Sequence, residues 1–246
     1  MSALMLREMG SRYGRSPGGY LWAILEPIGM IIIMAVAFSL LLRSPSLGNS
    51  FILFYATGYV PFNLFIKISQ TVAAGIRYSK PLLTYPAVSW IDAIFARALL
   101  NFLTNALVAV ILFAMLIAVL DLQVVFRIGF VLEAFAMAFL MGLGIGMLNC
   151  VIMGFVPVWE TIWGIITRPL FLASGVLIIY EDVPRTVQEI LIWNPLLHIS
   201  GIMRMGFYST YAPQYISYPF VLFVALALVV FGMLLLRRHY RWLLQI

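Results

Sequence analysis

Charge is what this chain has least of. A tenth of its 246 residues are Asp, Glu, Lys or Arg, while 64% are hydrophobic, more apolar surface than the core of a soluble domain can hide. The chain therefore reads as an integral membrane protein. Lysine is scarcer still, with Lys67 after Ile66 and Lys80 after Ser79 as the only two. A phosphate-cradling loop needs glycines ahead of a Gly-Lys pair followed by a hydroxyl residue, so ATP hydrolysis by that route is excluded. One cysteine, Cys150, rules out an intrachain disulfide and leaves the redox compartment unread. His198 and His239 stand far apart, so no metal site is expected.

Long apolar runs are what the chain does have. Stretches of about 20 residues, enough for a roughly 30 Å hydrocarbon layer, recur along its whole length and leave no room for a separate soluble domain. Residues 1–246 read as one all-α transmembrane domain with six spans, at about 20–42, 51–74, 92–120, 128–155, 161–180 and 219–236. Before the first span, residues 1–14 place Leu4, Met5 and Met9 on one side and Arg7, Glu8 and Arg12 around the rest, with Tyr13 at the end and Arg15 just beyond. That pattern predicts an interfacial helix. It is not a signal peptide, because charge follows the weak apolar part and no small-residue cleavage site appears.

Arginine and lysine set the orientation. Arg7, Arg12, Arg15, Lys67, Arg77, Lys80, Arg97, Arg237, Arg238 and Arg241 fall on one side. Arg43, Arg127, Arg185 and Arg204 fall on the other, diluted by Asp121, Glu133, Glu181, Asp182 and Glu189. Both termini are predicted to be cytoplasmic.

Two interruptions break the apolar pattern. Ala73 to Ile91 carries Arg77, Tyr78, Ser79, Lys80, Pro81, Leu82 and Pro86, too basic and too punctuated by proline to lie in lipid. It reads as a short turn or helix at the cytoplasmic face. Val183 to Ser217 contains Asn194, Pro195, His198 and Arg204. A seventh span there would put the basic tail outside, so the segment reads as re-entrant helices in the outer leaflet, forming an external gate or its support. Non-helical backbone at that depth needs protein or water around it.

Glu26 and Arg168 lie inside predicted spans, each about seven residues from the cytoplasmic end and beside a proline, and intramembrane charges are functional candidates by default. They are expected to face each other or a shared aqueous path, with a structural ion pair as the alternative. Trp22 and Trp163 neighbour them in the same helices, and Trp159 and Phe171 extend the aromatic set. Such rings suit a lining for sugar chains, or else an interfacial belt. Ser174-Gly175 with His198 offers the parts of an intramembrane serine protease, but Ser174 fits better as a small residue for helix packing. Gly142, Gly144 and Gly146 give helix-contact spacing in the fourth span, more suited to packing within one subunit than to a dimer.

RYGRSPGGYLWAILEP at the start, YATGYVPFNLF in the second span, KPLLTYP in the first interruption and WNPLLHISGIMRMGFY in the second together resemble the permease subunit of bacterial ATP-binding-cassette polysaccharide exporters. The capsular branch is the nearest; O-antigen and teichoic acid exporters are relatives. The resemblance covers essentially the whole chain. It implies two permeases paired with two separate nucleotide-binding subunits, which hold the ATP and Mg, so that this chain needs no cofactor and is not an enzyme. It implies further that Arg77 to Leu82 forms the coupling helix seated in that subunit. A lipid-linked glycan would pass between the first and fifth spans, and periplasmic export proteins are further candidate partners. No nucleic-acid partner is expected. Many relatives carry an Arg-Asp pair near the start of the fifth span, where this chain has Trp159-Glu160-Thr161, so a second cytoplasmic contact is not assigned. An exporter of a small amphiphile shares the topology. A secondary transporter would need an inverted repeat and a membrane-embedded enzyme convergent catalytic groups, and neither is found in the sequence.

Overall fold

A computed structural model describes residues 19–83, 89–121 and 126–244. The interfacial helix expected at residues 1–14, with Arg7, Arg12, Tyr13 and Arg15, lies outside these residues, as does Pro86. The described chain is helical: α1 (Gly19–Ser39), α2 (Phe51–Ala73), α3 (Gly75–Leu83), α4 (Trp90–Leu120), α5 (Ile128–Phe155), α6 (Trp159–Ala173), a 3-10 turn (Tyr180–Asp182), α7 (Arg185–Leu191), α8 (Pro195–Met205) and α9 (Tyr218–Leu243). No strand occurs among the described residues.

Local chemistry sets the boundaries. The Ser50 hydroxyl accepts a bond from the Leu53 N–H at 3.3 Å and caps α2. Ser89 and Asp92 cap each other's backbone at the start of α4, and α4 stops at Asp121, whose φ of 47° is left-handed. α8 begins with Asn194 as cap and Pro195 in its first turn, where proline's missing N–H leaves no intrahelical bond unmade.

Five helices, α1, α2, α4, α5 and α9, are long and apolar enough to cross a membrane. The expected fifth span, 161–180, is the exception. α6 has 15 residues, about 22 Å of rise, and ends at Ala173 because Gly175 turns left-handed with φ +69°. The last helix departs the other way and continues through the basic tail to Leu243. One end of the bundle carries α3, the start of α4 and the ends of α5 and α9, which share its cavities. The opposite end carries α7 and α8.

α5 lies between α2 and α9, and its glycines permit that position. A Cβ at Gly142 would fall 2.9 Å from the Phe65 carbonyl oxygen, and one at Gly146 2.8 Å from that of Ser69, both on α2. Gly144 faces the other way, 2.8 Å from Leu228 Cβ on α9. The small-residue spacing thus packs helices within one subunit, as its sequence suggested. By contrast no residue of α6 is buried, and α1 exposes Leu21, Trp22, Ile33 and Val36.

Gly146→Leu should therefore separate α2 from α5 and lower stability by about 1–3 kcal/mol or more. Gly29→Leu, with open space around its Cβ position, should be nearly neutral. The yield of monodisperse protein and its unfolding midpoint after detergent extraction would show the difference; equal behaviour would contradict the packing.

Candidate functional site

At the basic end, α3 follows α2 after a break at Ala74. Ile76 and Ser79 are buried, while Arg77, Tyr78 and Pro81 are exposed and Lys80 is half-buried; Leu82 lies within the helix. Of the residues expected to meet a partner, Ser79 therefore faces the bundle instead, because the one-sided apolar pattern of α3 turns it inward beside Ile76. The Tyr78 ring sits between two guanidinium groups, 5.5 Å from that of Arg77 and 5.1 Å from that of Arg97 on α4, within cation–π range. Arg77 Nη1 also lies 3.5 Å from Glu160 Oε2 in the first turn of α6. Both side chains are more than half exposed, so solvent screens the pair and its role is connection rather than stability. Behind α3, a cavity of about 240 Å³ is lined by Ile76, Arg77, Lys80, Cys150, Pro157 and Leu243, among others.

Glu26 does not pair with Arg168. Its carboxylate accepts two bonds from Lys67 Nζ, at 2.7 and 2.8 Å, and so joins α1 to α2 as a structural ion pair. Lys67 stands six residues before the end of α2, about as far from its helix end as Glu26 is from the start of α1. Arg168 is exposed on α6, and Trp22 is 63% exposed on α1. Trp163 is half-buried against the core. Trp159 Nε1 donates to Asn149 Oδ1 at 2.9 Å, fastening the first turn of α6 to α5. Phe171 packs edge-on against Phe62 and Tyr59 of α2, at 5.2 and 6.5 Å.

The four residues of the second interruption converge at the opposite end. Asn194 Oδ1 accepts from the Leu196 N–H at 3.1 Å, while its amide donates to the Ala173 carbonyl at 2.9 Å. One side chain thus caps the start of α8 and the end of α6. His198 Nε2 lies 2.8 Å from the Ile192 carbonyl, and its Nδ1 accepts the Ser217 N–H at 3.1 Å. Those partners fix the neutral Nε2–H tautomer and connect the turn before α8 to the start of α9. Ser174, fully buried, donates to the Leu170 carbonyl at 2.6 Å, so serine and histidine each serve backbone groups and form no dyad.

Arg204 is 1% exposed. Its guanidinium sits 4.3 Å above the Phe54 ring of α2 and donates to the Val176 carbonyl at 3.2 Å. Gly58 makes this approach possible, since a Cβ there would meet Val176 Cα at 2.9 Å and Arg204 Nη2 at 3.1 Å. Around it stand Tyr208, Tyr211 and Tyr215, whose phenols burial pushes up, that of Tyr215 to about 12. The Tyr211 hydroxyl donates to Glu181 at 3.2 Å. Neither this shell nor the pairing of Lys67 with Glu26 was read from the sequence; for the shell, four tyrosines within residues 208–218 were the available signal.

A helical bundle with five helices able to cross a membrane, a short basic helix at one end and a buried polar knot at the other fits the membrane subunit of a transporter. The chain belongs to the ABC-2 type transporter family, whose membrane component matches residues 1–208. It is 30% identical over 240 residues to the Polysialic acid transport protein KpsM of Escherichia coli, covering 96% of this chain and 92% of that one. It is 26% identical over 238 residues to the Capsule polysaccharide export inner-membrane protein BexB of Haemophilus influenzae, covering 96% and 89%. With CtrC of Neisseria meningitidis serogroup B, a capsule polysaccharide export inner-membrane protein, identity is 25% over 233 residues, covering 95% and 88%. The resemblance read from the four motifs holds at the level of the family.

Burial of His198 lowers its pKa below the ordinary imidazole value, although its bond to Ile192 opposes the shift. A histidine held neutral in this way contributes stability that is complete above its unfolded pKa of roughly 6.5 and is lost as pH falls through the folded value. Protonation also removes the Nδ1 acceptor of the Ser217 N–H. The unfolding midpoint should fall as pH drops from about 7.5 towards 5.5, and in His198→Ala, which starts lower, the slope over that window should flatten. An unchanged slope would remove the tautomer argument.

Proposed function

We propose that this chain is the membrane half of an ATP-driven exporter that moves a lipid-linked capsular polysaccharide across the bacterial inner membrane. It works as a homodimer, with ATP and Mg held by a separate nucleotide-binding subunit. The names of the relatives support the substrate class. The observation that carries the mechanical part is α3: its exposed face offers Arg77, Tyr78 and Pro81 outside the bundle, and Arg77 reaches Glu160 on α6.

In this reading the partner seats α3, and the Arg77–Glu160 pair hands its displacement to α6. That pair takes the place of the second contact left unassigned from the sequence. The open faces of α1 and α6, with Trp22, Trp163 and Arg168, border the glycan path between two copies. α6 together with the turn after it completes a sixth traverse, and the knot around Asn194, His198 and Arg204 closes the periplasmic side. Arginine excess at the α3 end supports a cytoplasmic location for it and for both termini.

Export to the cell surface and stimulated ATPase activity of the copurified complex test the linkage. Arg77→Glu and Glu160→Arg should each reduce both by about threefold to tenfold, and the double exchange should recover part of the loss. Purely additive losses would break the proposed link. Tyr78→Cys should react with a membrane-impermeant maleimide only in permeabilised cells; labelling in intact cells would invert the topology. Copurification without any ATPase partner would overturn the exporter reading, and transport of a small amphiphile without surface glycan would change the substrate class.

A further inference from the structure

At the α3 end, the start of α4 and the last turns of α9 enclose a groove of about 420 Å³, lined by Trp90, Ile91, Val230, Met233, Leu234 and Arg237. Its long wall is apolar and open: Val230 is 56% and Leu234 58% exposed. Its end is basic. Arg237 closes the groove, with Arg238 and Arg241 exposed on the same final turns. The rim is aromatic as well, since the Trp90 ring stacks on Tyr240 at 6.0 Å and Arg241 Nε donates to the Tyr240 hydroxyl at 3.2 Å. The acidic residue in the first turn of α4, Asp92, is engaged by its own cap, accepting from the Ser89 hydroxyl at 2.6 Å.

From Val230 to Arg237 the helix rises about 10 Å, so polarity changes from hydrocarbon to guanidinium over the upper part of one acyl chain. Along α9 this order matches a phospholipid: an acyl chain against Val230, Leu234 and Ile91, and the phosphate at Arg237, with Trp90 and Tyr240 at the headgroup end. Aromatic rings belong at that level of a bilayer, and juxtamembrane arginines attract anionic headgroups. We propose that this groove is a binding site for one anionic phospholipid of the surrounding bilayer. Occupancy braces the start of α4 against the end of α9, on the side of the bundle from which α3 projects.

Native mass spectrometry of the delipidated protein, titrated with phosphatidylglycerol or with phosphatidylcholine of the same chains, tests the site. Phosphatidylglycerol should be retained at least threefold more tightly. Arg237→Gln should abolish that preference while leaving weak retention of both lipids. Val230→Trp, which fills the groove and keeps the arginines, should lower retention of both, and circular dichroism shows whether each variant remains folded. Equal retention of the two lipids by the native protein, or no change in either variant, would overturn the proposal. So would efficient disulfide formation between two Val230→Cys chains in membranes, because a second copy would then occupy the groove.

Discussion

The close approach of α5 to its two neighbours is the constraint on which the rest of the structure depends. Hydrocarbon offers no hydrophobic drive for helices to associate inside a bilayer, so contact has to come from shape. Gly142 and Gly146 let the backbone of α5 touch the carbonyls of Phe65 and Ser69, and Gly144 with Gly232 does the same against α9. Three helices become one unit, with α5 in the middle. Glu26 and Lys67 then attach α1 to that unit through a charge-assisted bond. Each of these charges would be expensive alone in lipid; paired, they satisfy each other.

The end opposite α3 is held by a different kind of contact. A buried guanidinium is tolerated only where its charge finds compensation, and Arg204 finds it in the Phe54 face, the Val176 carbonyl and a tyrosine shell that includes a bond to Glu181. These partners come from α2, from the turn after α6 and from the segment between α8 and α9. Arg204 cannot move without exposing an unpaired charge, so it fixes the register of α8 against α2. His198 and Asn194 extend the same knot to α9 and α6 through backbone groups, which ties a segment of irregular chain to two helices without any apolar span.

Most of the architecture was legible because its signals are periodic and strong. The limits of α2 and α5 agree with the apolar runs to within a residue, and the glycine spacing pointed to intrachain packing. The misreadings share one cause: depth and hydropathy are one-dimensional, whereas partners are chosen around the helix axis. Glu26 met Lys67 rather than Arg168 because the angular position of Lys67 on α2 faces α1, which depth alone cannot reveal. Ser79 looked like part of a basic exposed stretch, yet one turn of helix rotated it inward. The fifth span was drawn too long because Gly175 sits within an apolar run, and its left-handed conformation leaves no trace in hydropathy. The Arg204 shell was legible only in its tyrosine cluster, since Phe54, Val176 and Glu181 lie far from it in sequence.

Unequal attachment follows from this arrangement. α2, α5 and α9 are welded by backbone contact, whereas α6 is joined at discrete points: Trp159 to Asn149 and Glu160 to Arg77 at one end, Asn194 to Ala173 at the other, with Phe171 resting on Phe62 between them. Point contacts permit small rotations that interdigitated backbones forbid, because packed interfaces shift between discrete arrangements instead of deforming smoothly. If force enters through α3, it meets a rigid wall in α5 and a compliant neighbour in α6, and displacement goes to the compliant one. The short length of α6 acts in the same direction, since a helix that ends just before Gly175 is joined directly, through Asn194, to the knot around Arg204.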